Sequence, residues 1–252
     1  MKTVTLLAAA SALVLAAGAP TFVRAAPIPG YVASAVADSH RPDADTKRDA
    51  ARKPADVLAF SGVKPGDKVF ELLPGGGYFT RLFSKAVGPG GHVYAVNPTV
   101  NPETGAAVPP LAITTDPAYP NVSQVPLTLS GLTAPEPVDI IFTAQNYHDF
   151  HLARFKADVV AFDRALFAAL KPGGLLVIED HAAEPGSGLR DPDKLHRIDE
   201  AVVKQEVESA GFVLVDETNV LRNPADPHTL IVFDPSIRGH TDQFVLKFRK
   251  PA

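Results

Sequence analysis

The chain has 252 residues, 46% of them hydrophobic and 21% charged, with 24 basic against 28 acidic side chains and a net charge of −4; this is enough for one sizeable core, and a single domain is expected. The absence of cysteine excludes disulfides, thiolate nucleophiles and zinc sites with Cys ligands. A mildly acidic chain without basic runs has no electrostatic footprint for nucleic acid or anionic lipid, so neither is expected as a partner.

Met1-Lys2 precedes an apolar run from Val4 to Ala17, and Val23 and Ala25 stand as small residues before Pro27 and Pro29. The pattern predicts a secretory signal peptide over residues 1–25, cleaved after Ala25, because the run is short for a membrane span. Its removal takes Lys2 and Arg24 and leaves 22 basic against 28 acidic residues, a net charge of −6. A periplasmic or secreted protein without stable membrane association follows as the expectation.

The Pro/Ala-rich stretch over residues 26–42 is expected to be mobile, with one domain over 43–252. "DADTKRDAARKPADVLAFSG" predicts helix with a break at Lys53-Pro54, where the proline restarts the helix as its first residue. Val57, Leu58 and Phe60 are expected to pack it as a lid or cap. "KVFELL" predicts a buried strand, and the helix after the glycines places Phe79, Leu82, Phe83 and Ala86 on one face.

"HVYAV" is the next strand, followed by a long proline-rich loop to Asn121, a weak strand in "VSQVPL" and a strong one in "VDIIFTA". "ARFKADVVAFDRALFAALKPGG" predicts a helix with Phe155, Val159, Phe162, Leu166 and Leu170 at helical spacing, before the strand "LLVIED". "LHRIDEAVVKQEVESAGF" predicts another helix and "FVLVDETN" another strand, while Phe244 to Phe248 alternates like an exposed or edge strand. Strands alternating with helices imply an α/β fold, a doubly wound, mostly parallel sheet with helices on both faces.

In such a sheet ligands bind beyond the carboxyl ends of the strands, which makes the bend in "VFELLPGGGYFTRLF" a small-molecule site by position. A P-loop needs Gly-Lys-Ser/Thr, and the chain has Gly77-Tyr78-Phe79-Thr80 instead. A dinucleotide fingerprint needs a third glycine where Thr80 stands. Glu71, four residues before Gly75, is a carboxylate able to face a ligand cation while the glycines clear space for an amino-acid moiety.

Glu71-Leu72-Leu73-Pro74-Gly75-Gly76-Gly77 resembles the first motif of class I S-adenosylmethionine-dependent methyltransferases, E/D-x-G-x-G-x-G. "GGHVYAVNP", "VDIIFTAQNYHD" and "ALKPGGLLVIEDH" follow in the family's order, and the similarity spans roughly Lys64 to Lys250. The segments "PGGGY", "NYHD" and "IRGHTD" are similar to those of an exported bacterial methyltransferase-like group. The resemblance implies a seven-stranded Rossmann-like methyltransferase fold and methyl transfer from S-adenosylmethionine to a small-molecule acceptor, with Glu71, Pro74, Gly75, Gly76, Gly77, Asn97 and Asn146 binding the cofactor. The chain departs from the family pattern at Leu73, which stands where the motif has its first glycine, and at Asn97, where an acid commonly grips the ribose. It also has no acid in "VSQVPLTLSG" for the adenine.

Methyl transfer needs alignment and, for a protonated acceptor, a base. The strand-end clusters Asn146, Tyr147, His148, Asp149, His151 and Glu179, Asp180, His181 supply candidates: His148 or His181 as general base, Tyr147 as orienting group and Asn146 as a contact. Asp149, Asp180 and His181 invite a magnesium reading and His148 with His151 a weaker zinc one; no metal site is assigned. His196 reads as a solvated helix face or a rim contact. The alternative to a methyltransferase is an exported non-methylating binding protein, or another enzyme, on the same fold; oligomeric state is not legible.

Overall fold

The computed structural model describes residues 27–101, 103–128 and 131–252. The expected signal peptide lies outside the described residues, none of whose helices is long and apolar enough to cross a membrane. In chain order the elements are α1 (Gly30–Val36), α2 (Asp43–Thr46), α3 (Asp49–Arg52), α4 (Pro54–Ser61), β1 (Lys68–Leu72), α5 (Tyr78–Val87), β2 (His92–Pro98), β3 (Val122–Thr128) and β4 (Gly131–Leu132). They continue with β5 (Val138–Ala144), α6 (Val159–Ala169), β6 (Leu170–His181), α7 (Pro192–Leu195), α8 (Glu200–Ser209), β7 (Val213–Thr218) and β8 (Gln243–Arg249).

The sheet order is β4-β3-β2-β1-β5-β6-β8-β7. Seven long strands form the expected doubly wound sheet, and β4 adds a two-residue antiparallel edge to β3. The central strands are parallel, and β8 runs antiparallel to both β6 and β7. The chain leaves β1 toward β2 on one side and resumes with β5 on the other, so the carboxyl ends of β1 and β5 bound the switch-point crevice in which open α/β sheets bind ligands.

Alternation along each strand divides the interior. Phe70 and Leu72 of β1, Leu176 and Ile178 of β6 and Phe244, Leu246 and Phe248 of β8 face one core with α6 and α8. Val69, Ile140, Phe142, Val177 and Val245 face the other with α1, α4 and α5. By the same parity Glu71 and Glu179 point to the α5 side, and Asp180 to the α6/α8 side.

Four expectations are corrected. The stretch expected to be mobile contains α1, whose Val32 and Ala35 are buried against the α5 side and whose Tyr31 hydroxyl donates to the Val63 carbonyl at 2.8 Å; apolar spacing within an alanine-rich stretch builds a packed helix. β8 is interior, not an edge, because its phenylalanines fill the sheet between β6 and β7; the edge is β7, with Val213 and Val215 exposed. The helix expected from Leu195 splits at His196, whose φ of 52° is left-handed, and restarts behind Asp199, which caps α8 by accepting from the Ala201 amide. α6 begins only at Val159, because Asp158 caps it by accepting from the Ala161 amide.

The break at Lys53-Pro54 is as expected: Lys53 is left-handed at φ 42° and Pro54 opens α4. Val57 and Leu58 are buried and Phe60 packs beside them.

Candidate functional site at the glycine bend

After β1, Leu73 adopts φ 50° and its amide donates to the Val96 carbonyl at 2.9 Å. A leucine thus holds a left-handed conformation that favours glycine, at about 1 kcal/mol of backbone strain. Gly75 and Gly77 follow at φ 55° and 82°, and the Gly77 amide closes the turn on the Pro74 carbonyl at 2.9 Å. Gly76 has ordinary backbone, and a β-carbon built there would meet nothing within 4 Å. It opens on a cavity of about 190 Å³, walled by Pro74 and Gly75 on one side and by Ala144, Gln145 and Asn146 of the β5 end on the other. The cavity occupies the switch-point crevice and is smaller than the 300 Å³ or so at which pockets for whole drug-sized ligands begin.

The electrostatics of the cavity are amphoteric. Glu71 lines it and is buried; loss of solvation pushes its carboxyl up to about 7, against the pull of Thr80, Arg52 and Arg81. Glu71 Oε2 has no hydrogen-bond partner among the described residues. Arg48 and Arg52 line the same cavity, Arg52 with its guanidinium 4.4 Å from the Tyr78 ring centroid and 4.8 Å from that of Phe79. Behind it Glu179 is fully buried and also pushed up to about 7 by burial, with Arg52 3.8 Å from its Oε1. One carboxyl and two guanidiniums lining one cavity suit a ligand that carries both an ammonium and a carboxylate.

The arginines are positioned from outside the sheet. Asp49 accepts both Arg41 nitrogens, at 2.8 and 2.6 Å, and the Tyr78 hydroxyl at 2.6 Å, which ties α3 to the first residue of α5. Asp45 accepts from Arg48 at 2.9 Å and from Arg81 at 2.8 Å, and Arg81 also donates to the Gly76 carbonyl at 2.9 Å. The expected cap therefore exists, and its contact with the glycine bend is ionic. Arg48 and Arg52 stand four apart, the spacing of one helical face, and that was the signal available in the sequence.

Asn146 reaches back from the β5 end and donates to the Leu73 and Ala144 carbonyls at 3.1 and 2.6 Å, so it braces the two walls of the crevice. Gln145, at φ 62°, donates its backbone N–H to the Glu179 backbone carbonyl at 2.7 Å. Asn97 is half-buried at the carboxyl end of β2, outside the lining of the cavity. The long loop after it packs Ile113 into the α5-side core and does not line the cavity.

The three catalytic candidates are not brought together at this cavity. Tyr147 is fully buried in the α6/α8 core, where its hydroxyl donates to Asp163 at 2.8 Å and Glu206 at 3.2 Å; its place is structural, because an aromatic ring after β5 fills that core. His181 is buried, with Nδ1 2.7 Å from Thr241 Oγ1, and burial pushes it down to about 3, so it stays neutral and is no base at ordinary pH. His148 is buried with Nδ1 2.8 Å from Asp180 Oδ1; burial opposes its charge, yet Asp180 raises its pKa. Its Nε2 faces His196 and Asp149 and does not reach into the cavity lining. His151 bonds Glu206 at 2.9 Å, and Asp242 accepts the Asn223 amide at 2.7 Å, which fastens the "IRGHTD" segment as a structural turn.

No family model matches the chain, and no curated protein does. Solved structures resemble it: a SAM-dependent methyltransferase from Aquifex aeolicus, at 21% identity and TM-score 0.56, covers 84% of this chain and 100% of its own. A 1,6-didemethyltoxoflavin-N1-methyltransferase from Burkholderia thailandensis, solved with bound 1,6-didemethyltoxoflavin and S-adenosylhomocysteine, is 20% identical with TM-score 0.56 over 93% of this chain and 95% of that one. The [4+2]-cyclase SpnF, 16% identical with TM-score 0.55, covers 85% of this chain and 84% of its own. With its strand order and its glycine bend, the chain has the Rossmann-like fold of the class I methyltransferases.

Proposed function

We propose that the protein is an S-adenosylmethionine-dependent methyltransferase acting on a small molecule. One observation carries this reading: the glycine bend after β1 opens on a cavity lined together by the buried carboxyl of Glu71 and by Arg48 and Arg52. The residues fit the amino-acid end of that cofactor, and Gly76 leaves the room a side chain would take. When bound, the cofactor supplies an electrophilic methyl group on a sulfonium.

The chain's own residues then act by alignment. Glu71 balances the ligand's positive charge, directly or through water, and Arg48 and Arg52 hold its carboxylate. Pro74, Gly75 and Gly77 fix the backbone of the bend, Asn146 keeps the crevice walls in register, and Asn97 offers a neutral amide to a ribose hydroxyl. Thermal unfolding in the presence of S-adenosylhomocysteine tests the reading: ligand-dependent stabilisation supports it, since only the folded state has the site. An unchanged transition at saturating ligand counts against it.

We infer further that the chain belongs with exported methyltransferase-like proteins, that its leader is removed after Ala25, and that it works in the periplasm or outside the cell without nucleic acid. The support is the Met1–Ala25 pattern and the acidic remainder. Export gives weight to a second reading, a non-methylating protein on this fold, because S-adenosylmethionine is made in the cytosol and Asn97 brings no charge to the ribose. The likeness to a cyclase is consistent with it, since a fold hosts more than one chemistry.

A further inference from the structure

On the opposite face of the sheet from Glu71, at the carboxyl ends of β5 and β6, three ligand atoms from two distant parts of the chain converge. His148 Nε2 lies 3.2 Å from His196 Nδ1 and 3.3 Å from Asp149 Oδ1, and His196 Nδ1 lies 3.7 Å from that same oxygen. We propose that His148, Asp149 and His196 form a binding site for a divalent transition-metal ion of the zinc type.

The spacing is that of a tetrahedral face. Bonds of about 2.0–2.1 Å at the tetrahedral angle put neighbouring ligand atoms about 3.3–3.4 Å apart. Octahedral geometry at the same bond length would bring them to about 2.9 Å, closer than the three found here. Two imidazoles and one carboxylate suit zinc and its first-row neighbours better than magnesium, which prefers oxygen alone.

The surroundings of the triad are those of a metal site. His148 Nδ1 lies 2.8 Å from Asp180 Oδ1, so the ring donates there and presents the lone pair of Nε2 to the other two atoms. Asp180 is held in turn by the His148 and His181 amides, each at 2.7 Å, and has no freedom to swing away. A carboxylate behind the imidazole is the usual support of a metal-bound histidine. The backbone supplies the third ligand at some strain: His196 is left-handed at φ 52°, which splits the helix expected over this stretch and turns the ring toward His148. His148 is nearly enclosed, whereas the side chains of Asp149 and His196 keep 28% and 19% of their exposure, so a fourth position is open to water or a ligand oxygen. Phe233, exposed, stands with its ring 5.0 Å from that of His196 at the mouth.

The test is zinc uptake by the chelator-treated full chain, followed by Co²⁺ substitution and its visible spectrum. One Zn²⁺ per chain, and a Co²⁺ spectrum of tetrahedral intensity, are expected. His196→Asn, which tolerates the left-handed backbone, and Asp149→Ala should each weaken uptake at least tenfold with the melting temperature of the metal-free protein little changed. Asp180→Asn should weaken it by about 10- to 100-fold through loss of support for His148. Absence of stoichiometric uptake by the folded wild-type chain, or uptake indifferent to both His196→Asn and Asp149→Ala, would mean that a proton joins these three side chains, and would overturn the proposal.

Discussion

The guanidinium of Arg52 lies 3.8 Å from the Glu179 carboxylate, joining a helix that precedes the sheet to the carboxyl end of β6 above the glycine bend. Arg52 is thereby held within reach of the cavity while its Nε is left without a hydrogen-bond partner among the described residues. If it receives a ligand carboxylate, Arg52→Ala should weaken S-adenosylhomocysteine binding by about 10- to 100-fold, the worth of a hydrogen bond to a charged group. Arg52→Lys should recover little of this, since an ammonium neither stacks on Tyr78 nor forks. Calorimetric titration of the two variants decides it.

Buried acids set the pH dependence of stability. Burial pushes Glu71, Glu179 and Asp163 each up to about 7. An acid with a folded-state pKa above its unfolded value contributes stability that is complete below the unfolded pKa and is lost as pH rises through 7. His148, raised by Asp180 against the effect of burial, changes in the same direction. His181, pushed down to about 3 by burial, contributes stability present above its ordinary 6.5 and lost only as pH falls below it. Denaturant midpoints should therefore fall between pH 6.5 and pH 8. Glu71→Gln should remove about 1 kcal/mol of that decline. A wild-type midpoint that rises over this interval would contradict the upward shift that burial gives these three carboxyls.

Tyr147 separates a structural role from a catalytic one. Tyr147→Phe leaves Asp163 and Glu206 without their shared donor and should cost about 1–2 kcal/mol of stability by chemical denaturation. Ligand affinity and any turnover should be unchanged. A loss of turnover at preserved stability would return Tyr147 to the reacting centre.

Much of this was legible before the fold was known. β1, α5 and the bend between them announce themselves by a buried apolar run, a helical stripe and adjacent glycines, and Phe79, Leu82, Phe83 and Ala86 are all buried as their spacing predicts. What escaped depends on contacts between distant segments. Arg48 and Arg52 drew no reading of their own, because their four-residue spacing marks one helical face but nothing local reveals that α3 turns onto the bend. His196 read as part of a helix because a left-handed residue other than glycine carries no local signature. Tyr147 and His148 are neighbours in "NYHD", yet one enters the α6/α8 core and the other meets Asp180; chain adjacency at a strand end does not fix which side of the crevice a side chain serves. β8 read as an edge because alternation reports two unlike faces, whereas sheet order is set by the whole topology.

The central claim is that the glycine bend holds the sulfonium cofactor, and isothermal calorimetry of S-adenosylmethionine and S-adenosylhomocysteine against the wild-type chain and Gly76→Val tests it most directly. A β-carbon at Gly76 meets no protein atom within 4 Å, so the variant should fold normally while its side chain occupies the cavity. Saturable binding to the wild type, lost in Gly76→Val at equal stability, is the expected result. A folded wild type that binds neither ligand, or a variant that binds both as well as the wild type, would contradict the claim.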